Sequence, residues 1–265
     1  MLNRIIMFDM DGTLTESRQS FNSSILGNSL FKLSKQAEIG IITGSDLNYL
    51  WEQMGPFIDN SSCRYKTYLM PCNGTKLLWP PSNIDEKHKL IHDKSMEEHL
   101  GAKDYRILLQ ELIYSQIDIS SEGIPLTGHF IDCRGSTINW CPIGRNANNA
   151  QREEFMKIDK EGKIRNRVLT ELRTMLEQKG LLKKVTIKLG GDTSFDIYPK
   201  GWDKTYGLKH FSNWDVWFVG DRCYPDGNDY EIYKECCKKG QGFITSGPEQ
   251  TAEIIDEIIE KIRKD

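Results

Sequence analysis

Short apolar runs alternate along this chain with stretches in which apolar side chains recur every three or four positions. Arg4 to Phe8 is such a run, and it stops at Asp9, Asp11 and Gly12, the pattern of a buried parallel strand ending in a loop. Phe21, Ile25, Leu26, Leu30 and Leu33 follow at helical spacing, and Glu38 to Ile42 forms a second run ending at Thr43, Gly44 and Ser45. Strand, helix, strand predicts a right-handed crossover within a parallel sheet. Leu47, Leu50 and Met54 predict another helix, closed by Gly55-Pro56, and Tyr68 to Met70 a third strand before Pro71 and Asn73-Gly74.

The pattern changes after Pro80-Pro81. A charged helical stretch to about Gln116 precedes two alternating segments, Phe130 to Cys133 and Thr137 to Cys141, which read as strands of an α+β unit. A long polar helical region carrying Val168, Leu172, Met175 and Leu176 leads to Val185 to Leu189 and Ser194 to Tyr198, a hairpin through Gly190-Gly191. From Pro199 to Trp202 the α/β pattern returns. Val216 to Val219 is a strand ending at Gly220-Asp221, Gly242 to Ile244 is another, and Ile254, Ile255, Ile258, Ile259 and Ile262 mark a closing amphipathic helix. The expected fold is α/β: a discontinuous Rossmann-like parallel-sheet core over 1–80 and 200–265, interrupted by an α+β domain over 81–199.

Composition narrows the function classes. The 265 residues exceed the usual single-domain range, as a domain with an insertion would. Lys and Arg number 35 against 38 Asp and Glu, a net charge of −3, so nucleic acid and anionic membrane are not expected partners. A mean hydropathy of −0.52 and apolar runs far shorter than a bilayer span point to a water-soluble protein. The amino-terminal stretch reaches Asp9 after few apolar residues and offers no small-residue cleavage site, so a cytosolic location is expected. Seven scattered cysteines with no Cys-x-x-Cys pair predict reduced, mostly buried thiols.

The chemistry concentrates where the first strand ends. Asp9 and Asp11 stand one residue apart at the position where open α/β sheets collect ligands. Phosphoryl transfer uses such a pair: a divalent cation offsets the charge of one carboxylate and the phosphate while that carboxylate attacks phosphorus, and the second moves the alcohol's proton.

Asp9-Met10-Asp11-Gly12-Thr13 resembles the nucleophile motif of the haloacid dehalogenase superfamily of phosphotransferases. Three further blocks agree with it. Thr43-Gly44-Ser45 stands where that superfamily binds the transferring phosphoryl group, with Thr43 or Ser45 supplying the hydroxyl. Lys204 resembles its charge-balancing cation, and Gly220-Asp221 with Gly227-Asn228-Asp229 its acidic metal block. The resemblance implies Mg²⁺ bound by Asp9, Asp221 and the main-chain carbonyl of Asp11, with Asn228 and Asp229 either bound directly or one layer further out, Asp229 in the outer layer.

Cys141-Pro142-Ile143-Gly144-Arg145, Asp192-Thr193-Ser194-Phe195-Asp196 and Pro199-Lys200-Gly201-Trp202-Asp203-Lys204 are similar to blocks of the eukaryotic-type phosphomannomutases, along nearly the whole chain. That resemblance implies a substrate-binding arginine at Arg18 in the core and others at Arg134, Arg145 and Arg152 in the inserted cap, with Ser194 and Asp196 as the sugar-binding Ser-x-Asp. It implies interconversion of mannose 6-phosphate and mannose 1-phosphate, with Asp9 as nucleophile, Asp11 as acid and base and Lys204 balancing charge. A hexose 1,6-bisphosphate would serve as intermediate and activator, the product would feed GDP-mannose synthesis, and homodimers would form through the caps. A Mg²⁺-dependent sugar phosphatase or hexose-1,6-bisphosphatase, and a phosphoglucomutase, are the alternatives on the same site.

Some residues depart from the family or carry little. Tyr233-Lys234-Glu235-Cys236-Cys237-Lys238 replaces a segment in which the family usually carries threonine and aspartate around a further cation, so the resemblance does not extend to that accessory site. His88 and His92 are four apart on an expected helix, with His99 seven further on; solvated side chains are expected there in preference to an imidazole metal face. Trp202, beside Lys204, is expected to seat its loop.

Overall fold

A computed structural model describes residues 3–264. In chain order the elements are β1 (Arg4–Phe8), α1 (Ser23–Leu33), β2 (Glu38–Ile42), α2 (Leu47–Asn60), β3 (Thr67–Met70), β4 (Lys76–Trp79) and β5 (Lys89–Asp93). Then come α3 (Met96–Leu100), α4 (Ala102–Ser120), β6 (Ile131–Cys133), β7 (Ile138–Trp140), α5 (Asn149–Gly162), α6 (Ile164–Gln178), β8 (Val185–Gly190) and β9 (Ser194–Pro199). The chain closes with α7 (Thr205–Leu208), β10 (Asp215–Gly220), α8 (Tyr230–Cys237), β11 (Gly242–Ile244) and α9 (Pro248–Lys264). These elements form two compact units, one described over 3–93 and 201–264, the other Lys94–Lys200.

The first unit is built on a sheet of order β11-β10-β1-β2-β3-β4-β5, parallel from β11 to β3 and antiparallel at β4 and β5. β1 is buried on both faces, as its unbroken apolar run requires. Ile6 and Phe8 join Leu26, Leu30, Leu50, Met54, Ile255 and Ile258 of α1, α2 and α9, while Ile5 and Met7 pack with Ile42, Met70, Phe218 and Ile232 on the opposite face. From β1 the chain builds outward through β2 and β3, then returns on the other side as β10 and β11. The strand order therefore reverses at β1 and β10, and a crevice opens at the carboxyl ends of such strands.

Two expectations are corrected here. The first unit continues past residue 80 to Asp93, because Lys89 to Asp93 is a strand and not the start of a helix: it pairs antiparallel with β4 from Trp79 opposite Lys89 to Lys76 opposite Asp93. Its exposed, charged edge gives no alternating signal in the sequence. Nor do Gly55 and Pro56 end α2, which runs on to Asn60. Pro56 forfeits one intrahelical bond, but Ile58 beyond it is fully buried and Phe57 packs on Phe21 with ring centroids 4.2 Å apart, so tertiary burial carries the helix through.

The second unit is an antiparallel sheet of order β6-β7-β9-β8 packed on α3 to α6. Ile138 and Trp140 of β7 and Phe195 and Ile197 of β9 meet Leu112, Phe155, Leu172 and Leu176 in its core. Side chains alternate across a strand, so Asn139 and Asp196, paired in register, point to the other face beside Asp132 and Lys188, giving a polar row across the sheet.

Candidate active site

Two acids follow strands that meet the crevice, Asp9 after β1 and Asp221 after β10, while Asp229 immediately precedes α8. The Lys204 ammonium joins two of them, bonding Asp9 Oδ1 and lying 2.5 Å from Asp229 Oδ1. Lys204, Asp9 and Asp229 are 1, 4 and 0 % exposed, so these are buried charges that need one another. Burial works to lower the Lys204 ammonium, but Asp229 and Asp9 outweigh it and hold the group above its usual value. Burial, and then Asp229, push the Asp9 carboxyl well up, with Lys204 pulling against them. Asp221 is pushed up to about 6, first by burial and then by Asp229.

Ligand atoms of Asp9, Asp221 and Asp229 lie within 4.8 Å of one another. Three carboxylates against the Lys204 ammonium and the Arg222 guanidinium, which lies 3.7 Å from Asp221 Oδ2, leave one negative charge in excess, and the buried Asp221 Oδ1 lacks a hydrogen-bond partner. Hard oxygen donors with that imbalance fit a divalent cation. Asp229 has both oxygens engaged, Oδ1 by Lys204 and Oδ2 by the Arg222 amide at 3.1 Å, so Asp9 and Asp221 are the freer donors. Gly12 lets the loop after β1 pass this close: its φ is +81°, and a Cβ there would sit 2.5 Å from Asp221 Oδ2.

Asp11 stands outside the triad. Its Oδ1 accepts the Arg18 amide at 2.9 Å, the Tyr49 hydroxyl at 3.1 Å and Gln53 Nε2 at 3.2 Å. Tyr49 and Gln53 were not legible as site residues, though the Asp46 cap that opens α2 places them one turn apart on one face. Burial, then Asp11, raises the Tyr49 phenol above its ordinary range, keeping it a donor. Arg18 contributes its amide here, and its side chain is exposed. After β2, buried Thr43 accepts the Ser45 amide on Oγ1 at 3.1 Å and retains its own proton to donate; Gly44 and Ser45 are half-buried. Asn73 lies beside Gly44 and bonds the Trp202 carbonyl at 3.1 Å, tying this loop to the one that carries Lys204.

In the second unit the polar row gathers most of the remaining candidates. Arg134 Nε donates to Asp132 Oδ2 at 2.9 Å, and Arg145 approaches the same oxygen at 3.6 Å. Arg145 Nη1 also donates to Asn139 Oδ1 at 2.9 Å, and Asn139 Nδ2 in turn donates to Ser194 Oγ at 3.1 Å and Asp196 Oδ1 at 2.8 Å. Arg152 bonds Thr193 Oγ1 at 2.8 Å, next to Ser194. Gly190 makes room for Asp196, whose carboxylate would lie 2.6 Å from a Cβ at that position. Asp132, Asn139 and Thr193 hold this cluster together: strand register brings Asp132 and Asn139 into it, and Thr193 joins from the turn just before β9.

The histidines do not form a metal face. His88 bonds the Thr67 carbonyl at 2.9 Å and His92, on β5, the Tyr206 hydroxyl at 3.0 Å, so both are half-buried instead of solvated. The seven cysteines are free, five of them buried. Tyr233 to Cys237 lie within α8. Among the described residues, no helix is long and apolar enough to cross a membrane.

The fold has solved counterparts at low identity. A mutant of Plasmodium falciparum IMP-nucleotidase with IMP bound superposes with a TM-score of 0.64 at 15 % identity, covering 98 % of this chain and 68 % of that one. Trehalose-6-phosphate phosphatase of Aspergillus fumigatus gives 0.53 at 16 % identity, covering 98 % and 93 %. Sequence relatives are nearer. The phosphomannomutase of Arabidopsis thaliana is 34 % identical over 249 residues, 93 % of this chain and 93 % of that protein. That of Encephalitozoon cuniculi is 34 % identical over 262 residues, covering 97 % and 94 %. The sequence profile of eukaryotic phosphomannomutases matches residues 26–261, and the chain belongs to that family.

Proposed function

We propose that the protein is a phosphomannomutase interconverting mannose 6-phosphate and mannose 1-phosphate through a phosphorylated Asp9 and a hexose 1,6-bisphosphate. The observation that carries this reading is the buried meeting of Asp9, Lys204, Asp221 and Asp229 in a chain of this family. A Mg²⁺ ion held by Asp9, Asp221 and the Asp11 carbonyl would offset charge on the carboxylate and the phosphoryl oxygens.

The residues divide the work. A carboxylate oxygen of Asp9 attacks phosphorus of the bisphosphate, the bond to the sugar oxygen breaks, and Asp11 gives its proton to the departing alcohol. In the return step Asp11 takes the proton of the sugar's other hydroxyl as that oxygen attacks phosphorus, and Asp9 leaves as carboxylate. Lys204 keeps Asp9 oriented and offsets charge, while the Thr43 or Ser45 hydroxyl, with the Gly44 backbone, holds the transferring group. Arg18, Arg134, Arg145 and Arg152 bind phosphate, and Ser194 and Asp196 the sugar. Because the bisphosphate must turn end for end, the arginines accept either phosphate, and exclusion of water decides between transfer and hydrolysis.

The same reading places the protein in the cytosol, supplying GDP-mannose synthesis, as a homodimer joined through its inserted units. The exposed Ile113, Tyr114 and Ile117 of α4 support that contact. A coupled assay with mannose and glucose 1-phosphates, with and without hexose 1,6-bisphosphate, tests the function. A mutase gives the isomer, needs the bisphosphate and releases little phosphate; stoichiometric phosphate without isomer overturns it in favour of a sugar phosphatase.

A further inference from the structure

We infer that Tyr49 and Gln53 are positioning residues that orient the Asp11 carboxyl so that its Oδ2, and not its Oδ1, carries the proton exchanged with the sugar. The inference rests on the reading of Asp11 as acid and base. Three donors converge on Oδ1: the Arg18 amide, the Tyr49 hydroxyl and the Gln53 amide nitrogen. A proton placed on that oxygen would face all three, whereas it meets none of them on Oδ2.

The orientation of Gln53 is itself fixed. The Thr15 hydroxyl donates to Gln53 Oε1 at 2.9 Å, which turns Nε2 toward Asp11. Thr15 and Gln53 are buried, and the Gln53 carbonyl accepts the Phe21 amide at 3.1 Å. The loop after β1 is thus held against α2 at both ends of the glutamine. Tyr49, one turn earlier, reaches the same oxygen from the first turn of the helix, where Asp46 caps the Tyr49 amide at 2.8 Å. A helix packed into the core by Leu50 and Met54 therefore sets the angle of a carboxyl whose chemistry depends on aim.

Leaving groups separate this role from a structural one. Phosphorylation of Asp9 by hexose 1,6-bisphosphate releases an alcohol that needs a proton, whereas phosphorylation by acetyl phosphate releases acetate, which needs none. In Tyr49→Phe, and separately in Gln53→Met, the rate with hexose bisphosphate should fall about 10-fold, a fraction of the usual worth of general acid catalysis. The rate with acetyl phosphate and the KM for hexose phosphate should change by less than about twofold. In Gln53→Met the Thr15 hydroxyl proton can turn to the Met10 carbonyl, 3.2 Å away, and Tyr49→Phe removes only a hydroxyl. In an Asp11→Asn background Tyr49→Phe should add nothing. Equal slowing with both donors, or a full effect in Asp11→Asn, overturns the positioning role. Wild-type protein that takes no label on Asp9 from either donor overturns the functional reading itself, a different result from any of these.

Discussion

The Lys204 ammonium and the Asp229 carboxylate lie 2.5 Å apart with almost no solvent access, and the same ammonium reaches Asp9. Removing one partner of such a buried set leaves uncompensated charge, which costs about 3–5 kcal/mol. Lys204→Met should lose that stability in chelator at pH 8, measured by urea unfolding. The loss should shrink at pH 5, where Asp221 takes up a proton and the uncompensated charge falls.

Metal removal should give a characteristic pH dependence. The folded Asp221 carboxyl titrates near 6, above its unfolded value, so its contribution to stability is fully present below about pH 4 and is lost as pH rises through 6. The midpoint of thermal unfolding in chelator should fall across that window, and saturating Mg²⁺ should remove the fall by binding the ionised form. A midpoint in chelator that is flat between pH 4 and 7 would contradict this.

Asp215 titrates in the opposite sense. Burial would raise it, but hydrogen bonds from Trp217, Arg4 and Gln241 outweigh burial and hold it below the usual carboxylate value. Its contribution is therefore present above about pH 4 and disappears as pH falls through the lowered value. Asp215→Asn should cost about 1–2 kcal/mol at pH 7 and progressively less as the pH falls below about 4, read from urea midpoints.

In the second unit Arg145 holds Asn139 and Asp132 and has about a third of its side chain open to solvent. Arg145→Met should weaken hexose phosphate binding by about 2 kcal/mol, about 30-fold in KM. Labelling of Asp9 by acetyl phosphate should persist, because the arginine contributes no group to that transfer.

The sequence made visible what a local pattern can encode. Ile5 to Phe8 and Val216 to Val219 are apolar throughout because their strands are buried on both faces, and each leads directly to the acid it delivers. Tyr49, Gln53 and Asn139 escaped notice because their value comes from the partner they meet: Tyr49 and Gln53 look like ordinary helix positions, and Asn139 gains its neighbours only from strand register. The strand over Lys89 to Asp93 was hidden for the opposite reason, since one charged, exposed edge leaves no periodicity. Motifs placed Lys204 and Asp9 together, but the bonds from Lys204 to both Asp9 and Asp229 needed three dimensions.

Arg4 pairs across the sheet with Asp215, 211 residues later. β1 therefore gains β2 after a short stretch of chain, but β10 only after the intervening Lys94–Lys200 has been made. Lys94 to Lys200 needs no such delay, having all of its own strands in one stretch. A nascent chain stopped before Lys204 would carry Asp9 without its counter-charge, so the buried ion pair forms only once the inserted unit has been made.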